Sequence, residues 1–297
     1  MKTLNNKVDF AVVLNVKNAN PNGDPLNGNR PRMNFEGYGE LSDVCIKRKI
    51  RNRLLENGYG IFVQSDDNRI DEYRSLRSRL EGELKEALKD EKKLQEEACK
   101  KWIDVRSFGQ VFAYSGDKKK SKKEGDSGEK GEEKGISIGI RGPVSIHSAF
   151  SVNTINISSM QITKSVSGEG DGNKKASDTM GMKHRVDHGL YLFYGSINPQ
   201  LASKTGFSDE DALAIKDVLK KLFQNDASTA RPEGSMEVYK VYWWKHNNPN
   251  GQYSSAKVHR SLNVKVKDGI EDPKDINDYD IEITELDGLV PEVIDGI

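Results

Sequence analysis

From residue 7 to residue 17 every second side chain is apolar: Val8, Phe10, Val12, Leu14 and Val16. Ala11 and Val13 make part of the other face apolar too. A period of two predicts a strand, and apolar residues on both faces predict a central one, covered above and below. Asn18 to Arg32 is then rich in Asn, Pro, Gly and Asp, turn chemistry for which no regular structure is expected. A loop of that length leaving a core strand is more often functional than not.

The period changes to three and four at Ile46, Ile50 and Leu54, which predicts a helix over 43–56 with Ser42 or Asp43 as cap and Gly58 as stop. Lys47, Arg48 and Arg51 point away from that stripe, and Lys49 and Arg53 flank it, giving five basic residues within seven positions. Tyr73, Leu76, Leu80, Leu84, Ala87, Leu94, Ala98 and Trp102 recur at spacings of three, four or seven. They predict one long charged helix over 70–102, an insertion packed along the domain. Residues 104–112 resume a compact element. Residues 117–134 hold seven basic and six acidic side chains and nothing apolar, so 115–135 is expected to be disordered.

Strand periodicity returns over 136–163. Residues 164–188 are polar and Gly-rich between β-patterned segments, which predicts a long mobile hairpin. Further strands are expected over 189–197, 236–246, 258–266 and 279–284. A helix is expected over 210–223, capped by Ser208 or Asp209, burying Leu213, Val218, Leu219, Leu222 and Phe223. The class these elements predict is α+β: one antiparallel sheet with helices on one face, in a strand–helix–strand–strand–helix–strand core.

Composition changes this reading in two ways. Hydrophobic residues are 35% and charged residues 31% of 297, which leaves part of the chain as solvated insert. The net charge of zero conceals an asymmetry: residues 268–297 carry eleven acidic side chains and one basic, so residues 1–267 carry +10. A basic body attracts phosphate and favours nucleic acid. The acidic end is expected to be solvated or to dock on a neighbour's basic surface. No apolar run reaches a membrane span, the first residues lack a signal-peptide pattern, and Cys45 and Cys99 make neither a disulfide framework nor a zinc cluster. A reducing, cytoplasmic setting is expected, with no cofactor and no metal.

Candidate chemistry is sparse. His184 and His188 have the spacing of helical metal ligands, but the segment reads as a hairpin and a third ligand is missing. Gly135-Ile-Ser-Ile-Gly139 has the letters of a nucleophile elbow around Ser137, yet alternates as a plain strand. Cys45 reads as packing. Asp24, in the loop after the first strand, could hold a divalent cation beside a scissile phosphate. The other reading is a turn aspartate that accepts backbone N–H bonds.

Several segments, in order, resemble the backbone subunit of type I CRISPR effector complexes, of the RAMP superfamily. They are DFAVVLNVKNANPNGDP (9–25), GNRPR (28–32), SDVCIKRKIR (42–51), DVRSFGQVF (104–112), RGPV (141–144), QIT (161–163), TMGMKH (179–184) and KTGFSDED (204–211). The resemblance is closest to subtype I-C, with I-B near it. It implies an RRM-like (ferredoxin-like) palm with a helical finger insert and a β-hairpin thumb insert. The divisions expected are 1–57 palm, 58–135 finger-type insertion, 136–161 palm and finger strands, 162–188 thumb hairpin, and 189–297 second palm part with acidic tail. The resemblance implies a non-catalytic scaffold stacked head-to-tail along guide RNA, supporting guide pairing with target DNA in antiviral defence. The implied partners are the guide, other copies, the guide 5′-end and large subunits, and the helicase-nuclease.

A filament that holds any guide must grip backbone rather than bases. Lys47, Arg48 and Arg51 suit phosphates, with Lys49 and Arg53 as secondary contacts. Asn20, Asn22 and Gly23 allow close backbone approach, and Arg30 and Arg32 add charge. In the hairpin, Thr163 and Lys164 belong to the candidate RNA-binding set. Met180 and Met182 are expected to wedge between bases, with Lys183, His184 and Arg185 on flanking phosphates. Two other functions compete: a metal-dependent endoribonuclease using Asp24 on guide-paired RNA, and a structural protein that assembles without RNA.

Overall fold

The alternating segment forms strand β1 (Val8–Ala19) in the computed structural model, which describes residues 2–114, 136–164 and 180–297. Val8, Phe10, Val12, Leu14 and Val16 enter one core, and Ala11 and Val13 enter another on the opposite face. The strand is covered on both sides, as its double pattern predicts. The Asn-rich loop is more regular than expected. β2 (Gly23–Asp24) and β3 (Arg30–Pro31) pair as a miniature antiparallel hairpin. Gly28 and Asn29, both with φ near +60°, turn the chain back, a conformation these two residue types tolerate. β4 (Tyr38–Leu41) leads into helix α1 (Asp43–Glu56), where Ile46, Ile50 and Leu54 are buried.

The long helix expected over 70–102 is instead two: α2 (Leu76–Glu83) and α3 (Glu91–Lys101). The Asp90 carboxylate caps α3, accepting from the backbone N–H groups of Lys92 and Lys93. The break lets Leu84 and Ala87 reach a separate core around Phe62, Trp102 and Phe112. A single straight helix offers one stripe and could not wrap such a cluster. α4 (Ile103–Phe108), β5 (Gly109–Tyr114) and β6 (Ile136–Arg141) complete this unit, with β5 and β6 antiparallel. The expected disorder over 115–135 lies outside the described residues.

β7 (Val144–Ile146), β8 (Ala149–Thr154) and β9 (Ile157–Thr163) follow. β10 (Met180–Ile197) is one continuous strand of 18 residues, where a strand only from residue 189 was expected. Its first part pairs with β9, from Met180 opposite Thr163 to Val186 opposite Ile157. These positions are largely exposed, so they carry polar side chains that hide the strand in the sequence. The expected hairpin is therefore present as a stem; residues 165–179 lie outside the described set.

α5 (Pro199–Thr205) was not foreseen. α6 (Asp209–Leu219) starts from a capping box of Ser208 and Asp211 and ends earlier than predicted. Val218, Leu219 and Leu222 are buried and Phe223 packs against the same core, but Leu213 is 58% exposed, contrary to expectation. β11 (Met236–Lys245) matches its prediction. α7 (Ser255–Ser261) replaces the first half of the strand expected over 258–266, leaving β12 (Leu262–Val266). Ser254 caps α7 by accepting from the Lys257 N–H, and Val258 and Leu262, four apart, are both buried. β13 (Tyr279–Ile283) and β14 (Glu292–Asp295) end the chain of elements.

The main sheet runs β14-β11-β1-β10-β8-β4, with β7 and β9 also on β10, and every pairing in it is antiparallel. α1 and α6 pack on one face. α7 and the β12–β13 pair cover the other, so the helices are not confined to a single face. The acidic segment is neither a solvated end nor free to dock elsewhere as a whole. It is built into the body: β14 pairs with β11, Glu292 meets Lys216 at 2.6 Å and Asp295 meets Lys240 at 2.6 Å. Among the described residues, no helix is long and apolar enough to cross a membrane.

Candidate nucleic-acid interface

The loop after β1 is held by its own polar residues. Asn20 is buried and donates through Nδ2 to the Asn29 carbonyl at 2.7 Å. Asn22 Oδ1 accepts from both the backbone N–H and the hydroxyl of Ser42, each at 3.0 Å, and so ties the loop to the start of α1. A Cβ at Gly23 would meet the Asn29 side-chain amide, so glycine lets this turn close without displacing Asn29. Arg32 pairs with Asp24 at 3.6 Å. Asp24 also accepts from the Leu26 N–H at 3.2 Å. This is the turn-aspartate geometry, and the carboxylate already has a cation. Among the described residues no group of three His, Cys, Asp or Glu is placed to hold a metal.

The basic helix is less open than its sequence suggests. Lys49 and Arg53 are buried, at 5% and 3% exposure. Lys49 bonds to Asp226, and Arg53 bonds to the Gln224 carbonyl and to Glu56. Burial lowers the Lys49 pKa, against the opposing pull of Asp226. Arg51 donates to the buried Asp104 at 3.0 Å and stacks over Phe108. Lys47 pairs with Asp43 at 2.9 Å, and Arg48 with Asp67 at 2.9 Å. Arg48, its side chain 57% exposed, is the cation of this helix most open to solvent. Lys49, Arg51 and Arg53 therefore anchor α1 to α6's following turn and to the insertion. Cys45 is half-buried, and burial raises its thiol pKa, in keeping with a packing role.

The hairpin stem has two faces set by its register. Met180, Met182 and His184 share one, with Gln161 and Ser159 opposite; Lys183 and Arg185 occupy the other, with Met160 and Ser158 opposite. Met180 and Met182 are exposed, at 63% and 56%. The methionines and the two cations thus point to opposite sides, and only His184 lies with the methionines. Thr163 and Lys164 are exposed at the far end of β9. Arg185 lies 3.8 Å from Asp187. His184 and His188 sit on one strand, where residues four apart are about 13 Å from each other. They cannot ligate one ion: His184 bonds to Ser159, and His188 to the Pro273 carbonyl and Asn15. Ser137 lies in mid-strand in β6, which leads to β7 rather than to a helix.

The three parts meet through the loop. Arg30 donates to Ser159 Oγ at 3.0 Å, and His184 bonds to the same hydroxyl at 2.8 Å, so the β2–β3 hairpin touches the base of the stem. At its other end Asn22 and Gly23 line a polar cleft of about 320 Å³ with Arg48, Asn52, Asp67 and Arg231. Its lining also holds Lys49 and Asp226, and both of its arginines are paired, Arg48 with Asp67 and Arg231 with Asp226 at 3.1 Å. No sequence signal marks Ser159, Asp67 or Arg231, because each reaches the site from an element distant in the chain, while Asn52 lies on α1 one turn after Arg48.

The family model described as "CRISPR-associated protein Cas7" matches residues 6–284. A curated protein of Haloferax volcanii, "CRISPR-associated protein Cas7", is 24% identical over 301 residues, covering 100% of this chain and 86% of that one. Among solved structures, a chain of "CRISPR RNA-guided surveillance complex, pre-nicking" is 15% identical at a TM-score of 0.46, covering 84% of this chain and 81% of the other. A chain of "CRISPR RNA-guided surveillance complex" is 16% identical at 0.42, covering 89% and 78%.

Proposed function

The chain belongs to the family of CRISPR-associated protein Cas7, and from that premise we propose that it is a non-catalytic scaffold that grips guide RNA in a type I effector complex. On this reading several copies stack head-to-tail along the guide, which pairs with target DNA. Its partners are the guide 5′-end subunit, the large subunit and the helicase-nuclease, inside the cell. The sequence supports subtype I-C, or I-B beside it. The palm is RRM-like: the neighbouring order β11-β1-β10-β8, with α1 and α6 on one face, supports a ferredoxin-like arrangement. Residues 58–135 are the finger insertion and 162–188 the thumb hairpin.

The observation that carries the reading is the family match over residues 6–284. The geometry supports it by gathering Arg30, Arg32 and Arg48 along one connected path from the stem base to the cleft. Such groups neutralise phosphates without reading bases. The anchors Lys49, Arg51 and Arg53 belong to folding rather than to the guide, and the closest contacts are assigned to the exposed arginines, to Thr163, Lys164 and Lys183, and to Met180 and Met182 as wedges.

The test replaces Arg30, Arg32 and Arg48 together by alanine in the full chain. RNA co-purification, read as the 260/280 absorbance ratio, should fall to that of bare protein, with an unchanged melting temperature. For residual binding to single-stranded RNA, the slope of log K against log salt should lessen by at most about 2, since each phosphate contact contributes up to about 0.7. Unaltered RNA occupancy in a folded triple variant would sink the proposal.

A further inference from the structure

The exposed cations of this interface do not stand alone. Arg48 meets Asp67 at 2.9 Å, Lys47 meets Asp43 at 2.9 Å and Arg32 meets Asp24 at 3.6 Å. The Arg48–Asp67 pair differs from the others. Its partners come from α1 and from the insertion, where Asp67 lies in a short 3-10 turn (Asp66–Asn68). Both line the polar cleft. Both side chains are open to water, Asp67 at 76% exposure.

We infer that Asp67 is a built-in competitor of the interface: its carboxylate holds the place on Arg48 that a phosphate oxygen would take, and so lowers the affinity of that arginine for RNA. This rests on the reading of the surface as an RNA interface. A carboxylate and a phosphodiester each carry one negative charge. Exchanging one for the other on a single arginine therefore gains little, because the bond lost resembles the bond made. The cost is the same for any strand that engages Arg48, short or long, so it lowers affinity without selecting by length. Asp24 does the same more weakly at Arg32, at its longer distance. The displaced carboxylate also recovers a solution cation, so the salt dependence of binding is shallower than the number of arginines alone would give.

The experiment measures binding of a uridine 6-mer and a uridine 40-mer to the full chain and to three variants: Asp67→Asn, Arg48→Ala and the double variant. Asp67→Asn should tighten the 6-mer by about threefold to fivefold, the scale of one exposed ion pair. It should tighten the 40-mer at one chain by a similar factor and steepen the salt slope by up to about 0.7. In the Arg48→Ala background the same substitution should change nothing. If Asp67→Asn leaves both RNAs unchanged while Arg48→Ala weakens them, the inference is overturned and the RNA interface stands. If Arg48→Ala also has no effect, the placing of RNA at Arg48 fails, and the inference with it. Equal tightening with and without Arg48 would reduce Asp67 to a general charge effect and overturn the inference as well.

Discussion

Asp9 lies in the middle of β1, fully buried, with His246 Nε2 at 2.9 Å, Lys7 Nζ at 3.3 Å and His259 Nε2 at 3.7 Å. Gln252 donates its N–H to His246 Nδ1, which leaves Nε2 to donate to Asp9. His259 stacks on Tyr194, meets His147 edge-on and bonds to the Gly195 carbonyl. Burial holds its pKa below the ordinary 6.5, against the opposing pull of Asp9. The folded protein thus refuses a proton that the unfolded chain accepts near pH 6.5. Stability falls as pH drops through that window, by up to about 1.4 kcal/mol per pH unit for one full proton. Urea denaturation at pH 7.5 and 5.5 should show this loss, and His259→Gln should show a smaller one; an equal loss in both proteins would assign the proton elsewhere. Single residues were only partly legible beforehand. Lys49, Arg51 and Arg53 look like surface cations because nothing near them in sequence reveals Asp226, Asp104 or the Gln224 carbonyl. Arg48 keeps the exposure that its place off the apolar stripe predicts, whereas Arg30 is half-buried against Ser159.

α1 depends on a cap that is itself anchored. Ser42 Oγ accepts from the Cys45 N–H at 3.3 Å, and Ser42 in turn donates twice to Asn22 Oδ1. Ser42→Ala removes the cap and one of those bonds, and should cost about 1–2 kcal/mol in chemical denaturation. Asn22→Ala should cost a similar amount, and the double variant less than the sum, since the two residues share one network. Strict additivity would show that loop and helix are independent. The caps at Ser42 and Ser208 were readable because capping is local chemistry. The break between α2 and α3 was not, because the apolar spacing of 70–102 suits one helix as well as two, and only the far residues Phe62 and Phe112 decide. The helix α7 was missed for a related reason: a short apolar run reads equally as strand.

The insertion has its own core around Phe62 and Phe112, apart from the two on either side of the main sheet, and buried polar contacts join it to α1 and α6. Asp104, fully buried, accepts from Arg51 Nε and from the N–H groups of Phe62 and Val63, at 3.0, 2.8 and 3.0 Å. Arg106 makes a two-pronged bond to Asp211 on α6, at 2.9 and 2.7 Å. Asp104→Ala leaves Arg51 and two backbone donors unanswered, and should cost about 3–5 kcal/mol. Hydrogen exchange should rise first in residues 58–112, ahead of β1 and β11; uniform loss of protection would mean that the insertion does not open separately. The class and the central strand were legible from periodicity, while the acidic segment was misjudged because composition records charge and not the β14 pairing that folds it home. β10 has the last word on dimensions. Val186 to Ile197, about two-thirds of it, is locked in the sheet against β1, and Met180 to Val186 continues with β9 as one uninterrupted strand. Its protruding height is therefore a ruler cut in units of backbone, about 3.3 Å a notch. Trimming two residues from each side would lower the mast by some 7 Å and keep its heading, whereas trimming one would turn its methionines about to the reverse side.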